Sequence, residues 1–342
     1  MFHELLNRTK DDIGVVRSVL QCNEQLRTLL FGDADAVTEP HQQFLTALLG
    51  ASLPDSTKWK VLDHSAGITR LYAVYEGCVR SAIRSWLGII PTLYPSYGTL
   101  DPTFRSAHRR GIAKLLQNLE MARFKNLTEA EATKGFYDAV SGAQTYELQP
   151  DAFLFTERNF RKEALEEVFA SVAIQDAWKW VHNSRFVKEF LERVGRGTTT
   201  PEAELRQFVG YRNDAAHGNV DQVLGIGTMM EIADFVESLC LALCELVTWT
   251  VLRRRLERGE SSELGEVTEK FRNGAVVAVM KPTEVATGDE VYVCGASCCV
   301  SVRITSIQMN DASHDQITVA DQTELGFMFD AAVPKNHKLC RW

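Results

Sequence analysis

The hydrophobic period of this chain changes once, near residue 260, and that change limits the folds open to it. Before residue 257, apolar residues recur every three or four positions, as in helices with one buried face. After Gly265 they alternate every second position in short runs rich in valine and isoleucine, which is typical of strands. The sequence therefore predicts an α+β fold that is mainly α, with helices followed by a small β-barrel or sandwich.

The helical part contains three clear signals. Residues 58–87 place apolar side chains on one face over many turns, so we expect a long core helix that ends before Pro91. Thr200 suits a helix N-cap and Pro201 the first helical position, so another helix should begin there. A final long helix is predicted over 229–257. The expected domains are an N-terminal helical extension, a helical domain and a β-barrel, over residues 1–56, 57–260 and 266–342.

The net charge of -8 argues against a broad basic surface of the kind that coats nucleic acid, so any site for a polyanion has to be local. One basic stretch, residues 101–125, carries six lysines and arginines against two acids, and it includes Arg105, Arg109 and Arg110. This stretch is either the solvated face of a helix or a patch that contacts phosphate groups.

The eight cysteines lie mostly in apolar segments, which indicates reduced core thiols. One group near the C-terminus leaves two interpretations open, a zinc site or thiols buried in strands. No paired two-residue spacing is present, so buried thiols are favoured and we expect no metal or cofactor. The group comprises Cys294, Cys298, Cys299 and Cys340, with His314 or His337 nearby.

No segment predicts a membrane anchor. Residues 1–10 lack the long hydrophobic core of a signal peptide. The most apolar stretch, 235–252, contains Glu237 and Glu245, which a membrane span rarely tolerates. We therefore expect a cytoplasmic chain without a membrane span.

The block from Gly210 to Gly218 contains an arginine and a histidine separated by four residues, Arg212 and His217. The spacing alone is weak, because chance gives roughly one or two such pairs in a chain of this size. On one helix the two side chains point about 140° apart. Either the glycines break the helix, or each side chain meets its partners across a subunit boundary. Asn213 shares a helical face with His217, so it is placed to orient the imidazole.

The same block resembles the motif of HEPN domains of the RiboL-PSP and MAE_28990/MAE_18760 type, because an arginine, an asparagine, two residues, alanine, histidine and glycine follow in that order. Tyr75 and Glu76 resemble the aromatic and acidic pair of an earlier long helix in those families. The resemblance covers approximately residues 63–257. It implies a HEPN-type helical bundle in 57–260 and dimerisation through this domain.

Such a site predicts cleavage of RNA without a metal ion. A base removes the ribose 2′-hydroxyl proton, an acid protonates the leaving 5′-oxygen, and a cation stabilises the phosphorane. Histidine and arginine suit those roles, and two copies of the motif in a homodimer supply both an acid and a base. The expected catalytic residues are Arg212, His217, Asn213 and Glu76. The residues expected to contact the RNA substrate are Arg105, Arg109, Arg110 and Tyr211.

The expected function is therefore a metal-independent endoribonuclease, acting as a toxin or antiviral defence effector, with an antitoxin or the translation machinery as a further partner. The alternative is a noncatalytic HEPN-like protein that binds RNA or serves as a scaffold. In the simplest interpretation His217 ends a helix, Arg212 is a surface cation and Glu76 is an ordinary helix acid.

The C-terminal strands resemble the second, barrel domain of translation elongation GTPases over about 75 residues. The resemblance depends on Thr287, Gly288 and Asp289, which lead into a strand. It implies a β-barrel that selects a target or partner.

Overall fold

The computed structural model describes residues 2–31, 43–44, 47–48, 50–143, 145–155, 159–195, 199–218 and 222–342. All the described α-helices lie before residue 258 and all the described strands after residue 261, which confirms the predicted α+β, mainly α, fold. The helices are α1 His3–Phe31, α2 Ser56–Leu93, α3 Pro102–Leu116, α4 Glu129–Ser141, α5 Pro150–Leu154, α6 Lys162–Ser171, α7 Ala177–Asn183, α8 Arg185–Val194, α9 Pro201–His217 and α10 Ile226–Glu257.

The long helix α2 does not end before Pro91, so that prediction is wrong. Pro91 lies inside the helix, and the N–H of Tyr94 donates to the carbonyl of Ile90 at 2.8 Å one turn later. Proline removes one backbone hydrogen bond and its ring crowds the preceding turn. Leu93, which follows the proline, is fully buried, and burial of that side chain offsets the cost of the missing hydrogen bond.

The strands form a closed barrel. Their bounds are β1 Ser262–Lys270, β2 Val276–Met280, β3 Thr283–Ala286, β4 Glu290–Gly295, β5 Cys298–Met309, β6 Ala312–His314, β7 Gln316–Val319, β8 Thr323–Phe329 and β9 Lys338–Arg341. Six strands pair in the order β4, β9, β1, β2, β8 and β5, and β5 returns to β4 to close the ring. Strand β6 pairs antiparallel with the end of β5, while β3 and β7 form a separate pair. Closure leaves no open edge among the six barrel strands, and alternate side chains of each strand fill the interior.

The chain divides into two compact units that alternate along the sequence. The first comprises Met1–Ala82, Thr156–Glu167 and Phe186–Leu241. The second comprises Ile83–Phe155, Val168–Arg185 and Ala242–Trp342, and so includes the whole barrel. The arginine and histidine of the motif belong to the first unit.

Within the second unit, the barrel packs against helical residues through buried polar contacts. Arg185 Nη2 forms an ion pair with Glu245 Oε1 at 2.6 Å, and Arg185 Nη1 donates to the Cys298 thiol at 2.8 Å. The guanidinium of Arg255 lies over the ring of Trp342, 4.6 Å from its centroid. Cys298 at the start of β5 and Trp342 at the C-terminus are thereby held against helices of the same unit.

One helix among the described residues, Ile226–Glu257, is long and apolar enough to cross a membrane. Of its most apolar stretch, 72% is buried against the rest of the protein. Burial to this degree is typical of a helix in the core of a folded protein.

Candidate active site

The motif lies in the second half of α9, an uninterrupted helix. The Thr200 side chain accepts a hydrogen bond from the N–H of Ala203, and Pro201 takes the first helical position, as predicted. The helix continues through Gly210 and ends at Gly218, whose φ of 72° is left-handed. Of the two explanations for the motif spacing, a break at Gly210 is therefore wrong. Arg212 and His217 stay about 140° apart around the helix and about 7.5 Å apart along its axis.

The guanidinium of Arg212 is held between an aromatic ring and an amide. Its carbon Cζ lies 4.8 Å from the centroid of the Tyr72 ring, and Nη1 donates to Asn213 Oδ1 at 3.2 Å. The Arg212 side chain is half-buried. A cation over an aromatic face is stabilised without losing its outward-facing hydrogen-bond donors. Arg212 is thus positioned yet still able to bind an anion.

Asn213 orients Arg212. Its Oδ1 accepts hydrogen bonds from both Arg212 Nη1 and Asn159 Nδ2, the second at 2.8 Å. From the spacing of four residues, Asn213 was predicted to orient the His217 imidazole. The described contacts join its side chain to Asn159 and Arg212 instead, because Asn159 approaches α9 from a distant part of the chain.

Two tyrosines of α2 hold the segment that carries Asn159. The N–H of Phe160 donates to Tyr72 Oη at 3.0 Å, and Tyr75 Oη donates to the Phe160 carbonyl at 2.9 Å. Burial raises the pKa of Tyr72, against an opposing contribution from the Phe160 hydrogen bond, and raises the pKa of Tyr75 well above its usual value. Both phenols therefore stay neutral and fix residues 159–160 against α2.

Glu76 lies one turn after Tyr72 on α2, where it pairs with Arg80 at 2.8 Å. Arg80 in turn lies over the ring of Phe160, 5.5 Å from its centroid. Of the aromatic and acidic pair expected from the sequence, Tyr75 is fully buried, whereas Tyr72 is the ring that meets Arg212. The spacing of four between Tyr72 and Glu76 was the signal that would have identified Tyr72, since residues four apart share a helical face.

His217 is the last residue of α9 and is exposed. Within the part of the chain that the structure describes, its imidazole makes no hydrogen bond or ion pair. An exposed imidazole at a helix end is accessible to a ligand and to a second chain. This accessibility contrasts with the restrained guanidinium of Arg212 on the same helix.

A second histidine near the motif was missed from the sequence. His64 of α2 is buried, and its Nδ1 accepts a hydrogen bond from the N–H of Leu224 at 3.3 Å. Burial lowers the pKa of His64, against an opposing effect of Asp214, so the ring is neutral near pH 7. Its edge also meets Tyr211, whose hydroxyl accepts from Gln207 at 2.5 Å. His64 thereby fastens the segment after the motif to α2.

The basic residues expected to contact RNA lie on α3, in the second unit. Arg109 and Arg110 are exposed, and Arg105 is half-buried with a buried Nε that has no partner among the described residues. In the barrel, Cys294, Cys298, Cys299 and Cys340 are buried free thiols. The described residues contain no group of three or more histidine, cysteine or acidic side chains arranged to hold a metal ion.

Comparisons with known proteins place the helical part in a family. No curated protein matches the chain. Among solved structures, the chain is similar to the C-terminal domain of a candidate U32 peptidase from Geobacillus thermoleovorans, with 18% identity over 24% of this chain and 99% of that chain. The TM-score is 0.21, so this likeness carries no argument, and it does not confirm the expected resemblance of the barrel to elongation GTPases. A sequence model for MAE_28990-like HEPN domains matches residues 3–256. The chain belongs to the MAE_28990-like HEPN family.

Proposed function

We propose that this chain is a metal-independent endoribonuclease that cuts RNA by attack of a ribose 2′-hydroxyl. The observation that carries the proposal is the presence of a restrained arginine and an accessible histidine on the same helix. Tyr72 and Asn213 fix the guanidinium of Arg212, while the His217 imidazole stays exposed. A fixed cation suits a developing charge, and an accessible imidazole suits proton transfer.

In the proposed reaction, one imidazole takes the proton of the ribose 2′-hydroxyl while the 2′-oxygen attacks phosphorus. The bond from phosphorus to the 5′-oxygen breaks, and an imidazolium gives that leaving oxygen a proton. Arg212 binds the nonbridging oxygens while negative charge builds on them. The products are a 2′,3′-cyclic phosphate and a 5′-hydroxyl, and no metal ion takes part.

We further propose that the complete site contains two copies of the chain. One imidazole does not readily serve as base and acid at the same linkage, and each chain supplies a single His217. The angle of about 140° between Arg212 and His217 also favours partners from a second chain. A homodimer with two-fold symmetry brings two such helices together across one cleft. A role as a toxin or antiviral effector, restrained by an antitoxin or directed to translation by the barrel, would follow from this activity.

The experiment is incubation of the purified chain with a 5′-labelled single-stranded RNA in the presence of a chelator. The proposal predicts cleavage with cyclic phosphate ends, no cleavage of the matching DNA, and loss of cleavage in His217→Ala and in Arg212→Ala. Sedimentation of both variants should match the unmodified chain. Binding of RNA without any cleavage would favour the noncatalytic alternative, in which the same residues hold RNA or a partner.

A further inference from the structure

A pocket of about 290 Å³ lies within the first unit, next to the part of α9 that precedes the motif. It lies between the start of α6 and the first turns of α9. The pocket is lined by Arg161, Lys162, Glu163, Glu202 and Arg206. Three of these five side chains are cations, although the chain as a whole carries a net charge of -8.

Two of the three cations are available to a ligand. Lys162 pairs with Glu202 at 3.3 Å, which joins the two helices across the pocket. Arg161 and Arg206 are exposed, and neither guanidinium has a hydrogen bond or ion pair among the described residues. Glu163 and Glu202 occupy the first turns of α6 and α9, where acids stabilise the helix dipole. The acids thus have a structural role, and the two free guanidiniums leave the pocket able to bind an anion.

The pocket is fixed by the same elements that fix Arg212. Arg206 and Asn213 are seven residues apart on α9, so they share a face, about 20° apart and about 10 Å along the axis. Arg161 follows Asn159 by two residues, and Asn159 donates to Asn213 at 2.8 Å. Arg206 and Arg212 themselves are six residues apart, so their side chains point about 120° apart around α9 and about 9 Å apart along its axis. The pocket is therefore joined to Arg212 through Asn159 and Asn213, whose amides connect the segment of Arg161 to the guanidinium of Arg212.

We propose that Arg161 and Arg206 bind a backbone phosphate of single-stranded RNA, a few nucleotides from the linkage that Arg212 holds. A guanidinium presents planar paired donors that fit two phosphate oxygens, and two of them facing one pocket favour a phosphodiester over a neutral group. This inference rests on the proposed function, because it names a second contact for the same substrate. It places RNA binding beside the motif, in addition to the stretch on α3 that the sequence suggested.

The test uses a labelled single-stranded RNA with 2′-O-methyl groups, which offers no 2′-hydroxyl for attack, and measures its affinity by fluorescence anisotropy between 50 and 200 mM salt. Each phosphate contact to a single strand contributes about 0.7 to the slope of log affinity against log salt. Arg161→Ala and Arg206→Ala should each weaken binding about three- to tenfold and reduce that slope by about 0.7. Arg206→Lys should keep the slope, because it keeps the charge.

Lys10→Ala is the control, since it removes one exposed cation of α1 outside the pocket. Thermal melting should show that all four variants fold.

If the unmodified chain binds RNA and the two pocket variants behave like Lys10→Ala, the pocket does not bind phosphate and the inference is overturned. Cleavage of natural RNA by the unmodified chain would in that case leave the nuclease proposal intact. If the pocket variants lose affinity but no variant or unmodified chain cuts RNA, the pocket stands and the nuclease proposal fails.

Discussion

The guanidinium of Arg212 lies over the ring of Tyr72, with 4.8 Å between Cζ and the ring centroid. The two residues are separated by 140 positions in the sequence, and they bring α2 against the helix that carries the motif. A cation held on an aromatic face is worth about 0.5 to 2 kcal/mol, depending on its exposure. The Tyr72 hydroxyl also accepts a hydrogen bond from the Phe160 N–H. The ring of Tyr72 thus positions Arg212, and its hydroxyl holds Phe160.

Substitution of Tyr72 separates the ring from the hydroxyl. Tyr72→Leu removes the aromatic face, so Arg212 loses its position and RNA cleavage should fall at least about tenfold. Tyr72→Phe keeps the face and removes the acceptor for Phe160, so cleavage should change little while the free energy of unfolding falls by about 1 to 2 kcal/mol. Single-turnover cleavage and urea unfolding measure the two effects. Equal losses of cleavage in both variants would show that the ring does not position Arg212.

Asn213 provides a second test of how Arg212 is held. Asn213→Ala removes the acceptor that Arg212 and Asn159 share, and cleavage should fall by about ten- to a hundredfold. Asn159→Ala removes only one donor to Asn213 and keeps the acceptor for Arg212, so the loss of cleavage should be smaller. The measurement is kcat on single-stranded RNA at saturation. Activity of Asn213→Ala equal to that of the unmodified chain would contradict a role as acceptor.

Stability in acid should depend on His108, which is fully buried on α3 among the rings of Tyr97, Phe136 and Phe153. Burial lowers the pKa of His108 from 6.5 to about 4. The unfolded state therefore binds the proton first, and stability falls as the pH drops from about 6.5 to about 4, by up to about 3 kcal/mol. His108→Phe should flatten this part of the curve of unfolding free energy against pH. An unchanged curve would mean that His108 is not the buried neutral group.

Glu245 should make stability depend on pH in the opposite direction, so that stability falls as the pH rises. Burial raises the pKa of Glu245 to about 7, although its ion pair with Arg185 favours the charged form. Because the folded state holds this proton more tightly than the unfolded state, its stabilising effect is complete below about pH 4.5. That effect is lost as the pH rises through 7, by up to about 3 kcal/mol. Glu245→Gln keeps the shape and an acceptor for Arg185, so its stability relative to the unmodified chain should rise between pH 5 and pH 8. A constant difference across that range would contradict the raised pKa.

Local signals in the sequence were sufficient for much of the fold and for the motif. The change of period near residue 260 predicted the passage from helices to strands, and Thr200 and Pro201 marked the start of α9 correctly. Capping and periodicity depend on residues a few positions apart, so they can be read without tertiary structure. The spacing of Arg212 and His217 is also local, so the pair could be identified from the sequence, and its catalytic role stays a prediction.

Features that depend on distant contacts were not predictable in this way. The helix through Pro91 persists because Ile90 and Leu93 on either side of the proline are buried, and burial is not visible in local sequence. Strand β1, Ser262–Lys270, was missed because its glutamates and Gly265 obscure the alternation, and its pairing with β2 and β9 supplies the stability instead. The contacts of Arg212 with Tyr72 and of Asn213 with Asn159 likewise join segments far apart in the chain.

Mixing unmodified and His217→Ala chains tests the proposed two-chain site most directly. The unmodified chain and His217→Ala are co-purified in known proportions, so that mixed dimers form, and the cleavage rate of single-stranded RNA is measured in chelator. If one linkage needs the imidazoles of both chains, a mixed dimer is inactive, and the rate falls with the square of the fraction of unmodified chain, to about one quarter at equal proportions. A linear fall to about one half, or cleavage that persists in pure His217→Ala, would contradict the account.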